Sequence, residues 1–329
     1  MAKPRAIGAD AVQLIGFEAV YGTPPAGGGG QVYYRLPMRS DDISSSQPLE
    51  DDDSWNRETP DDGDASLGAE TTAGELVSPI DARGAGVLLR AALGAPTSEE
   101  VTEDELWEHV FVSGLDLPSI SKQVGHPKLQ TPKWRTQFGG KVDTLGFELS
   151  RTGRAVLTLG MIFQGEQKDN AGARDADPLS FAYLPFDNCK ASVKLGGVQI
   201  ANLTGGNVSF SNSLDTVETI RADNRIDGAD ETIRKASGSA TIRLGNDPTI
   251  DDLVDSGGYA ALEFGFALPS QPDWFLKFQF PRVRFERSKK AITGPGGIEQ
   301  PVNWRASHDT AEGHLMQVLL RNDVPAYVV

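Results

Sequence analysis

Between Trp134 and Gln164, apolar and polar residues alternate more regularly than anywhere else in the chain. Val142, Leu145, Phe147 and Leu149 precede a turn at Gly153, and Val156, Leu157, Leu159, Met161 and Phe163 follow it. A period near two sends successive side chains to opposite faces of a strand, so this stretch predicts a β-hairpin with one apolar face. Elsewhere the apolar runs are short and broken by Gly (36) and Pro (20), which favours strands joined by turns over long helices. The expected class is all-β with short helices.

Features of the first half return in the same order in the second, the mark of an internal repeat. Ile43-Ser44-Ser45-Ser46-Gln47-Pro48-Leu49 is answered by Val208-Ser209-Phe210-Ser211-Asn212-Ser213-Leu214. Each is followed by an acidic segment and a Gly-led strand, residues 74–80 and 238–244. Residues 82–93 then place Val87, Leu88, Ala91 and Ala92 at the spacing of an amphipathic helix, capped by Asp81 and stopped by Gly94 and Pro96. A second helix is expected after Asp247 as N-cap, with Pro248 at its first position. The hairpin also returns, over residues 278–285 and 298–306 around Gly294-Pro295-Gly296-Gly297. Val142 maps to Val283 and Phe163 to Trp304 at one shared offset. The expected organisation is an arm (1–40), a first domain with a long acidic loop (41–165), a linker (166–180) and a second domain (181–329). Two unrelated β domains are the alternative to a tandem duplication.

A net charge of −15 argues against a nucleic-acid grip, because affinity for phosphate comes from clustered Lys and Arg. Cys189 is the single cysteine, so it forms no internal disulfide and is expected to be buried and inert. The N-terminus lacks a basic region followed by an apolar one, and no stretch approaches the roughly 20 apolar residues of a membrane helix. Asp223-Asn224-Arg225-Ile226-Asp227-Gly228 imitates a calcium loop, but Arg225 and Arg234 stand where oxygen ligands belong. His109, His126, His308 and His314 fall in no metal-binding spacing, Asp251-Asp252 is one acid pair among many, and the glycine runs lack a phosphate loop's Lys-Ser/Thr. No catalytic, cofactor or metal site is expected, and the chain is read as no enzyme. Trp134, Trp274 and Trp304 near predicted strands motivate the alternative, a carbohydrate- or receptor-binding β-sandwich.

Gly16-Phe17-Glu18-Ala19-Val20-Tyr21-Gly22-Thr23, Leu88-Leu89-Arg90-Ala91-Ala92-Leu93-Gly94-Ala95-Pro96-Thr97, His109-Val110-Phe111 leading to Leu117-Pro118-Ser119, and Gly140-Lys141-Val142 form a spaced pattern. In that pattern the chain resembles the major tail tube proteins of long-tailed, siphophage-type bacteriophages. The resemblance implies tandem tail-tube β-sandwich or barrel domains, each with a flanking helix. It further implies self-assembly into stacked rings of three pseudo-sixfold subunits, the conduit for genome ejection. Implied partners are sister copies, the tape measure, the tail terminator and the tail tip, with double-stranded DNA passing unbound and no membrane segment. The implied location is the virion tail, assembled in the host cytoplasm. Inter-ring contact candidates are Tyr21, Glu50, Asp51, Asp52, Asp53, Trp55 and Arg57; lumen candidates are Asp143, Glu148 and Asp223. An acidic inner wall would discourage phosphate binding. Removing residues 1–35 is expected to spare folding and weaken polymerisation.

Overall fold

The computed structural model describes residues 5–27, 32–55, 59, 61–114, 116–129, 133–169, 172–200, 203–245, 248–290, 292 and 294–327. Among these, strands dominate and two α-helices occur.

The first half opens with β1 (Val12–Phe17), β2 (Tyr33–Arg35), β3 (Ser40–Asp41) and β4 (Ser44–Ser46). A small ribbon follows, β5 (Leu49–Glu50) with β6 (Ser66–Leu67), then β7 (Thr71–Pro79) and helix α1 (Ala85–Leu93). A hairpin of β8 (Thr97–Thr102) and β9 (Leu106–Val112) leads to β10 (Ile120–His126), β11 (Lys133–Leu149), β12 (Val156–Phe163) and β13 (Gly165–Asp169). After the short β14 (Leu179–Ser180) come β15 (Ala191–Leu195), β16 (Val198–Gln199) and β17 (Leu203–Ser211). A second ribbon joins β18 (Asp215–Val217) to β19 (Gly228–Asp230). The chain ends with β20 (Lys235–Arg243), α2 (Thr249–Ser256), β21 (Ala260–Leu268), β22 (Gln271–Phe285), β23 (Glu299–Ala306) and β24 (Gln317–Asn322).

In the first half β1 lies beside β10, β10 beside the start of β11, and β11 beside β13 and then β12. Beyond β12 come β7 and the pair β3 and β4. In the second half β15 lies beside β21, β21 beside β22, and β22 beside β24 and then β23. Beyond β23 come β20 and β17. The two halves join where the end of β11 pairs with β17, Thr144 facing Ser211 and Leu149 facing Gly206. They join again where β24 pairs with β9.

The hairpin around Gly153 forms as its alternation predicts, with Lys141 facing Ile162 and Phe147 facing Leu157. Its second counterpart is shorter, since only Val283, Arg284 and Phe285 pair with β23, while Phe275 to Gln279 take β24 instead. Val283 therefore faces Ala306, where the shared offset would have set it against Val302. Helix α2 closes at Gly257, φ 63°, a left-handed position that suits glycine; its expected cap, Asp247, lies outside the described residues. Helix α1 begins at Ala85 instead of residue 82, because the Asp81 carboxylate holds a preceding turn through the amides of Arg83 (3.2 Å) and Gly84 (2.7 Å). It is buried all round instead of amphipathic, Arg90 included, whose guanidinium lies 4.7 Å from the Phe17 ring and donates to the Tyr327 carbonyl.

One apolar core runs through both halves. Phe147 of β11 meets Phe278, Phe266 and Phe264 of the second half at ring-centre distances of 4.5, 5.6 and 5.8 Å. Within the stretch expected to be an arm, residues 13–17 of β1 are all buried. Of the expected linker, residues 166–169 belong to β13, and Arg174 pairs with Asp169 at 2.8 Å against the outer face of β10 and β11. Cys189 is exposed, contrary to expectation, because it sits in the single turn Asn188–Lys190 between strands.

The C-terminal residues fasten to α1 and β9. Tyr327 donates to the Arg83 carbonyl (2.7 Å), Arg83 pairs with Asp323 (2.7 Å), and the His109 ring meets the Val324 carbonyl (2.8 Å) and Ser98 hydroxyl (2.7 Å). Burial pushes the His109 pKa below its ordinary 6.5. The folded protein therefore holds it neutral while the unfolded chain takes up a proton, so its stabilisation is present above pH 6.5 and is lost as pH falls. The melting temperature is expected to drop on acidification below 6.5, and His109→Gln to flatten that slope in calorimetric scans. An unchanged slope would assign the effect to other groups.

Candidate assembly surfaces

The strands from β7 to β23 expose one long face. Val77, Thr158, Gly146, Ser209, Ser237 and Arg305 form one row across six strands. Glu75, Gly160, Thr144, Ser211 and Lys235 form a second, and Glu148, Asn207, Ser239 and Asn303 a third. None of these residues is buried, whereas the alternating Leu76, Leu157, Leu159, Leu145, Phe147, Val208, Phe210, Val302 and Trp304 are. The pleat thus separates a closed apolar side from an open side of hydroxyls, amides and glycines.

Of the lumen candidates, Glu148 stands on this open face and is exposed. Asp143 is half-buried at an irregularity of β11 and accepts from the Leu214 amide at 2.9 Å. Asp223 lies in the second ribbon's loop, bound to Arg221 at 3.0 Å, which holds its carboxyl down to about pKa 2. Arg221 also takes Asp227 at 2.7 Å, so the calcium-like loop spends these two carboxylates on a guanidinium.

The two ribbons stand side by side. Asn224 bonds the Leu67 carbonyl (3.2 Å) and accepts from the Glu70 amide (2.8 Å), while Arg225 pairs with Glu70 (2.9 Å). Large apolar side chains are exposed here: Leu49, Leu67, Ile220 and, 89% exposed, Trp55. Glu50, Asp51 and Asp53 are exposed around them, Asp52 is half-buried, and Arg57 lies outside the described residues. Tyr21 meets the second ribbon at Gly228. The turn that carries it is held by the Glu18 carboxylate, which accepts from the amides of Gly22 (2.8 Å) and Gly139 (2.9 Å). Its ring lies against Gly139 and Gly228, and burial pushes its phenol up to about 12. Tyr21 therefore bridges the two halves, a role that nothing local in the sequence signals. Trp134, Trp274 and Trp304 are buried and offer no exposed platform to a sugar.

The phage tail tube protein family matches residues 8–306. The chain belongs to that family. Its members are structural proteins of the virion tail, and membership implies assembly with sister copies and with other tail proteins. No curated protein matches the chain. Among solved structures, a Pseudomonas aeruginosa FadL homologue aligns with 95% of this chain and 88% of its own at 9% identity, with a TM-score of 0.11. That score carries no argument about fold. No helix among the described residues is long and apolar enough to cross a membrane.

Proposed function

We propose that three copies of this tail tube protein close into a ring, and that the rings stack into the conduit through which a phage genome is ejected. The observation that carries this reading is the order of strand pairings, which runs twice along the chain, joined through β11 and β17 into one sheet. Two tandem tube domains per chain would give three copies a pseudo-sixfold ring. Heterologous contacts that close by rotation yield rings, and axial contacts propagate them into a filament.

In this reading the open face of hydroxyls and glycines lines the bore. Duplex DNA then slides past a wall that offers few unpaired cations, since phosphate affinity follows Lys and Arg. On this reading the wall is mostly neutral, with Glu75 and Glu148 offset by Lys235 and Arg305. The acidic ribbon with Trp55, Leu49 and Leu67 makes the axial contact, because large exposed apolar groups mark surfaces that other chains cover. The tape measure, tail terminator and tail tip bind the ends of the stack.

Native mass spectrometry of the purified protein is expected to give trimers, and negative-stain images to show rings and tubes with a central hole. Trp55→Ser is expected to keep the trimer mass and shorten the tubes several-fold. A wild-type protein that stays monomeric at high concentration would refute the ring.

A further inference from the structure

We infer that Lys122 and Asp41 condense into an amide, an internal cross-link between β10 and β3 that forms once the chain has folded. The Lys122 amine meets the Asp41 carboxylate at 2.6 Å, and the two side chains are 0% and 10% exposed. A lysine withdrawn completely from water is rare, and one facing a carboxylate in the same dry space brings a nucleophile and an acyl group together. Folding delivers each from a different ladder. Lys122 stands beside Ile15 of β1, Asp41 stands beside Leu76 of β7, and both apolar neighbours are buried.

Burial pushes the Lys122 amine below its ordinary 10.5, against the pull of the carboxylates of Asp41, Glu166 and Asp42. An ammonium and a carboxylate held together out of water carry a large desolvation cost, and passing one proton across leaves a neutral amine beside a neutral acid. That amine has a lone pair. The surrounding hydrogen bonds fit its use. Asp41 Oδ1 accepts from the Ile43 amide at 3.2 Å, so a donor stands where negative charge grows as nitrogen adds to the carboxyl carbon. Oδ2, the oxygen facing the lysine, is then the one that departs. Gln137, directly across the ladder from Lys122, has a buried Oε1 with no donor among the described residues, although an ammonium has three hydrogens to offer.

The step balances without a co-reactant. The Lys122 Nζ lone pair adds to Asp41 Cγ, the Cγ–Oδ2 bond breaks, and Oδ2 leaves as water with two of the three hydrogens of the original ammonium. The third hydrogen stays on the new amide nitrogen, and nothing is oxidised or reduced. Groups held in contact react as if present at about 10⁵–10⁸ M, which replaces the encounter that a free amine and a free acid would need. The product exchanges a buried ion pair for a neutral amide. It closes a loop that contains the acidic ribbon, β7, α1 and the β8–β9 hairpin, and it fixes the two-residue β3 by a bond that denaturant does not break.

Intact-mass spectrometry of the full-length wild-type chain, denatured before injection, is expected to give a mass one water below that of the sequence. Trypsin is expected to leave Lys122 uncut and to yield a branched peptide joining the segments that carry Asp41 and Lys122, whose fragmentation places the bond. An unshifted mass would leave the two residues as an ordinary buried ion pair and overturn the inference. Linear peptides carrying the loss at Asp62-Gly63 or Asp227-Gly228, where an aspartyl side chain closes readily on the next backbone nitrogen, would overturn it as well. The wild-type chain decides the matter alone, whether or not a variant folds and whether or not copies assemble. Lys122→Met keeps the apolar stem and removes the nucleophile, so it is expected to restore the full mass; a variant still one water light would put the bond elsewhere.

Discussion

A chain lacking residues 1–35 will fail to show the cooperative unfolding of the intact protein, and will be largely unfolded in water. The deletion removes β1, whose six residues pair with β10, and β2 with it. Leu14, Ile15, Phe17, Tyr33 and Tyr34 leave the interior, each no more than 4% exposed in the fold. At about 1.5–3 kcal/mol for each large apolar side chain withdrawn from water, the loss is roughly 8–15 kcal/mol. Typical total stabilities are about 5–15 kcal/mol. Glu18 also goes, and with it the acceptor of the Gly139 amide and of the Ser119 and Ser121 hydroxyls. Urea titration followed by tryptophan fluorescence and circular dichroism measures the effect. A truncated chain with the midpoint of the full one would show that β1 is dispensable, as the sequence alone suggests.

The N-terminal segment misleads because its apolar run, Val12–Phe17, is short, stands alone and is followed by a Pro- and Gly-rich tract. What makes it a core strand is non-local: β10, more than a hundred residues away, pairs with all six of its residues. Gly16 is part of the same arrangement, since a side chain there would meet the Tyr33 ring at 2.9 Å. By contrast, the hairpin around Gly153 was legible because period and turn chemistry are local signals. The repeat pattern located β7, β20 and both helices in order, yet it missed that the end of β22 has only three paired residues on β23. It also gave no warning of the β8–β9 hairpin, which crosses to β24 and has no counterpart between α2 and β21. Among the surface candidates, the acidic ribbon with Trp55 could be read from composition. Tyr21 and Asp143 could not be placed, because both sit at contacts between the halves that only the pairing of distant strands creates.

Asn212→Ala is expected to lower stability by about 2–4 kcal/mol, a large effect for removing one small polar side chain. Two buried carbonyls, Val142 and Ala92, lose the donor that satisfies them, and each unsatisfied buried group costs about 1–3 kcal/mol. The damage lies at the seam where β17 meets β11, so hydrogen exchange should accelerate first at the amides of residues 144–149 and 206–211. Chemical denaturation with an unchanged midpoint would show that the amide is not what holds the seam. The paired experiment is Gln47→Ala, which leaves the isolated chain's midpoint within about 0.5 kcal/mol of wild type, as exposed substitutions do.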